Sequence, residues 1–79
     1  MKPSKYLIFK LVLQEEKTPV WDVISKKHGD KLGAIQWYPE WQQYTFFPEP
    51  DTIWNPECLR DVCKFIRELM EDRKKGVAK

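Results

Sequence analysis

The feature that most constrains this chain is its one long amphipathic segment, which begins at Asn55. Asn55 is a good N-cap, Pro56 suits the first helical position, and Glu57 favours the positive end of the helix dipole. Leu59, Val62, Cys63, Ile66, Leu69 and Met70 then recur at three- and four-residue spacing, flanked by Cys58 and Phe65. The opposite side is charged, with Lys64–Glu68 and Arg67–Glu71 placed to pair at i,i+4. Arg73, Lys74 and Lys75 make the last turn basic, and Gly76 stands where a helix C-cap is expected. A helix with one apolar stripe must bury it against a second layer. The preceding residues have to supply that layer.

They read as strands. Tyr6 to Gln14 alternates, with Leu7, Phe9, Leu11 and Leu13 on one side and Tyr6, Ile8, Lys10, Val12 and Gln14 on the other. Val20 to Lys26 is rich in β formers, and Lys27-His28-Gly29-Asp30-Lys31 is a turn. Leu32 to Tyr38 forms a third strand, in which Gly33 signals a bulge or a close backbone approach. Pro39-Glu40-Trp41 breaks it, and Gln42 to Phe47 is the fourth. Short connections favour an antiparallel meander. The expectation is one α+β domain over residues 1–79, a two-layer ββββα arrangement with its core in residues 6–73. Residues 1–4 and 76–79 are expected to be flexible. The helix covers one sheet face and leaves the other open.

Composition narrows the function. With 79 residues, 33% charged and a net charge of +2, the chain reads as a soluble domain with no overall charge that advertises nucleic acid. No apolar run approaches the roughly 20 residues that span a bilayer. No signal-peptide cleavage site follows the apolar Tyr6–Leu13 run. Cys58 and Cys63 lie on one helix at a spacing that forbids a bridge, and Cys63 falls in the apolar stripe as a small buried hydrophobe. Two unpaired thiols and no leader point to a reducing cytoplasm.

Catalytic constellations are missing from the pattern. His28 is the sole histidine and sits in a turn with no nucleophile beside it. The three glycines form no phosphate loop, and Cys58, Cys63 and His28 lack metal-ligand spacing. The reading is a non-enzymatic module with no cofactor, metal or small-molecule substrate.

The aromatic residues say more. Seven of the eleven lie between residues 37 and 54: Trp37, Tyr38, Trp41, Tyr44, Phe46, Phe47 and Trp54. One helix cannot cover both sheet faces, so part of this cluster stays accessible. No Lys or Arg occurs between Leu32 and Leu59. Nucleic-acid binding draws its affinity from cations at phosphates, and stacking platforms normally lie beside them. This segregation favours a protein partner, including a second copy, on a face formed by Trp37, Tyr38, Trp41, Gln43 and Tyr44. The alternative is a nucleic-acid module with Lys26, Lys27 and Lys31 on phosphates and the aromatics on bases.

The run Leu32-Gly33-Ala34-Ile35-Gln36-Trp37-Tyr38-Pro39-Glu40-Trp41-Gln42-Gln43-Tyr44-Thr45-Phe46-Phe47-Pro48, followed by Asn55 to Ile66, resembles a family of small uncharacterised prokaryotic and phage-associated proteins. These carry an LGxIxWYxxWRQYxFxP block and then CLxDIxxFI. The resemblance spans roughly residues 20 to 70 and implies no catalytic residues. This sequence has Gln42 where the pattern has Arg, which removes the one cation of the aromatic block.

Overall fold

The computed structural model describes residues 4–12 and 19–74. Four strands, β1 (Leu7–Val12), β2 (Val20–Ser25), β3 (Lys31–Tyr38) and β4 (Gln43–Pro48), precede one helix, α1 (Pro56–Lys74). The strands pair antiparallel in the order β1-β2-β3-β4. This is the two-layer α+β meander that the pattern predicts. Leu13, Gln14, Gly76 and the termini at 1–3 and 76–79 lie outside the described residues. Ser4 has partners on two elements. Its hydroxyl donates to Asp61 Oδ2 at 2.6 Å and accepts from the Leu7 amide at 3.1 Å, which joins the start of β1 to α1.

The connections follow their turn chemistry. Gly29 adopts φ 82° in the β2–β3 turn, and its amide bonds the Ser25 carbonyl at 2.8 Å. Gly33 meets both expectations. The register passes from Val23↔Gly33 to Ile24↔Lys31, so Leu32 is the extra residue of a bulge. A Cβ on Gly33 would stand 2.6 Å from the Phe46 ring and 2.8 Å from the Phe47 carbonyl oxygen. The Asn55 side-chain oxygen accepts from the Cys58 amide at 2.8 Å and caps α1.

Register sorts the side chains. Leu11 faces Trp21, which faces Ile35, which faces Phe46; beside that row run Phe9, Val23 and Gly33, and Trp37 faces Tyr44. These residues share the side that α1 covers. Val23 and Ile35 are fully buried there, together with Leu7, Tyr44, Val62, Phe65 and Leu69.

The helix sits differently from the stripe read in the sequence. Phe65, placed there as a flank, is the centre of the contact. Its ring stacks on Phe9 with centroids 4.2 Å apart and meets the edge of Trp21 at 5.0 Å. Cys63, expected to be buried, is exposed, and Leu59 is 48% exposed. The apolar arc of α1 is wider than one sheet contact, and the large ring claims the centre because it fills the space between Phe9 and Trp21. Lys64–Glu68 and Arg67–Glu71 do not close into ion pairs. Among the described residues only Lys31 does so, with Asp22 at 3.4 Å and Glu49 at 3.9 Å.

Candidate interaction surface

Alternation places every second residue of the sheet on the side away from α1. One row of that open side runs Lys10, Asp22, Ala34 and Phe47. Ile8 and Ile24 pair on the next row, and Tyr38 pairs with Gln43 near the β3–β4 turn. Among the described residues no helix lies over them. Ile8 is 44% exposed and Phe47 37%.

The turn after β3 adds a ring to this face. Trp41 and Gln42 donate their amides to the Tyr38 and Pro39 carbonyls at 3.1 and 3.2 Å, and Gln42 takes a left-handed φ of 55°. The Gln42 amide group bonds the Pro39 carbonyl at 2.7 Å and holds that shape. Trp41 is thereby presented 62% exposed, edge-on to Tyr38 with centroids 5.0 Å apart. Tyr38 lies 6.1 Å from Phe47, and its hydroxyl donates to Glu40 at 2.9 Å. Trp41, Tyr38 and Phe47 form one aromatic ladder, with a carboxylate at its upper end and the Asp22–Lys31–Glu49 group at the other.

The face predicted from sequence therefore divides in two. Tyr38, Trp41 and Gln43 lie on the open side. Tyr44 does not, because its register partner is Trp37 and both point toward α1; Tyr44 is only 4% exposed. Trp37 is half-buried, edge-on to Tyr44 at 5.4 Å, with the Arg73 guanidinium 3.8 Å from its ring centroid. Phe46 and Trp54 also belong to the covered side, packed at 4.9 Å, and the Trp54 indole N–H bonds Thr52. Phe47 and Ile8 were missed as candidate site residues, although they share the side of Gln43 and Lys10 by alternation.

The lysines of the alternative reading are placed apart from the ladder's tip. The Lys26–Lys31 turn is at one end of β3 and Trp41 beyond the other. Eight strand residues separate them by roughly 23 Å. Lys26 Nζ donates to the Ser4 carbonyl at 3.0 Å, and Lys31 is held by its two carboxylates. Lys27 is exposed in the turn.

The setting of Cys58 does not activate its thiol. Burial raises the Cys58 pKa, and the charges of Asp61 and Glu57 push it further up against the opposing Asn55 contact. Among the described residues, no three His, Cys, Asp or Glu side chains converge as metal ligands, and no helix is long and apolar enough to cross a membrane.

The chain is 35% identical over 75 residues to an uncharacterised 9.3 kDa protein of Acholeplasma phage L2, covering 94% of this chain and 96% of that one. No protein-family model and no solved structure matches it.

Proposed function

The chain belongs to the family of that 9.3 kDa phage protein, and on this footing we propose that it is a non-catalytic binding module whose open sheet face takes a protein partner, a second copy being the first to test. The observation that carries the reading is the exposed Trp41–Tyr38–Phe47 ladder on the uncovered side of the sheet. Aromatic surface of this kind is enriched at the centres of protein interfaces. Ile8 and Ile24 add apolar surface on β1 and β2 of the same side, and Lys10, Asp22 and Lys31 set mixed charges among these rows. The nucleic-acid reading has less support, because Lys26 and Lys31 are engaged within the chain and Trp41 lies at the far end of β3.

Sedimentation across tens to hundreds of micromolar (about the range of weak interfaces) tests the first occupant. A concentration-dependent dimer that the Trp41→Ala/Phe47→Ser double variant abolishes is the expected result. Its formation should depend only weakly on salt. A steep loss of binding to single-stranded nucleic acid with rising salt would instead assign the face to phosphates. A dimer untouched by the double variant would place the interface elsewhere.

A further inference from the structure

The helix carries a second apolar seam that the sheet covers only in part, through Ile66 and Met70. Cys58, Val62, Phe65 and Leu69 meet the sheet, and one step around the axis Leu59, Cys63, Ile66 and Met70 repeat the same four-three-four spacing. This second seam borders an open groove of about 560 Å³ between α1 and the outer edge of β4, floored by Phe46 and Val62. Among the described residues nothing covers the outer part of this seam: Leu59 is half-exposed and Cys63 exposed.

Charge is sorted to match. At roughly 100° per residue, Glu57, Asp61, Glu68 and Asp72 fall on the side of α1 away from the groove, where Asp61 holds Ser4. Arg67 and Glu71 line the groove, and the same helical angle puts Arg60, Lys64 and Lys74 beside them, so that Glu71 is the single acidic member of a basic strip along the groove's outer side. Arg60, Lys64 and Arg67 have no carboxylate within 4.0 Å among the described residues. A second copy docking seam to seam would set this basic strip against itself. An acidic partner would satisfy it.

The β4 edge tells against an added strand. The Tyr44 amide points outward, where it meets Met70 Sδ at 3.5 Å, while Glu49 bonds inward to Leu32. By alternation the other outward positions are Phe46 and Pro48, and Pro48 has no N–H. Phe46 is thus the one outward N–H of β4 left as a donor for a neighbouring strand, too little for a regular ladder. The seam from Leu59 to Met70 is about three helical turns long, roughly 16 Å.

We propose that the α1–β4 groove docks an acidic amphipathic helix of a partner protein. Its apolar side chains lie on Leu59, Cys63, Ile66 and Met70, and its carboxylates on Arg60 and Arg67. This surface is separate from the open sheet face.

The probe is a synthetic helical peptide of about fifteen residues with Leu at i, i+3, i+4 and i+7 and Glu on the flanks. The readout is its protection of Cys63 from alkylation, located by mass spectrometry. Saturating peptide should slow the reaction at Cys63 about tenfold. An Arg60→Glu/Arg67→Glu chain, checked for native circular dichroism, should lose the protection, and the double Lys variant should keep it. Trp41→Ala should leave it unchanged, which separates this site from the open face. Equal protection by a Lys-flanked peptide, or by a proline-interrupted acidic one, overturns the proposal. So does a lack of protection at millimolar peptide (about the weakest useful affinity), or a peptide-free dimer that already shields Cys63.

Discussion

Adjacent residues of β4 meet opposite fates. Phe46 turns under the helix and packs on Trp54, while Phe47, one residue on, stands 37% exposed beside Tyr38. The same contrast runs across the whole sheet. The covered face carries aliphatic and aromatic side chains from Phe9 to Tyr44 with no charge among them. The open face interrupts its apolar rows with Lys10, Asp22 and Lys31. Both faces are rich in apolar residues, so apolar content does not separate core from surface here. The placement of ionised groups does, because a charge under α1 would lose its hydration without a partner.

That contrast can be broken at graded strength. Phe65→Ala empties the space between Phe9 and Trp21 and should cost about 3–5 kcal/mol by chemical denaturation, a large part of the stability of a small domain. The covered face also tolerates little added volume. Gly33→Val forces atoms against the Phe46 ring and the Phe47 carbonyl, and a loss of about 1–3 kcal/mol or more is expected. Asn55→Ala removes the cap from the Cys58 amide and should lower stability by about 1 kcal/mol, read as a drop in thermal midpoint. On the open face, Trp41→Ala should change stability by less than about 0.5 kcal/mol while removing the binding of that face. A Trp41 variant as damaging as Phe65→Ala would erase the distinction between the two faces.

Much of the fold was legible in the sequence for identifiable reasons. The prolines stand at element boundaries, Asn55-Pro56-Glu57 marks the helix start, and Gly33 marks the bulge. Alternation also assigned Trp37 and Tyr38 to opposite sides correctly. Which side the helix would choose was not written in alternation, and so the expected binding set combined Trp37 and Tyr44 with Tyr38, Trp41 and Gln43. The charges of Lys10 and Asp22, paired across β1 and β2, were the available signal. The rotation of α1 was hidden for a related reason. Its apolar residues form two parallel seams of equal spacing, and only the fit of one ring between Phe9 and Trp21 selects between them.

The Met70 contact has a consequence for assembly. Sheets lengthen without limit when each unit offers an adhesive edge at both ends. Here the β4 end is stopped by a thioether and an imino acid, which leaves β1 as the continuous edge among the described strands. A unit with one such edge can be joined once. Contact between copies along the strands would therefore terminate at a pair, and a chain rich in β-forming aromatics would be kept from becoming the repeat of a fibre.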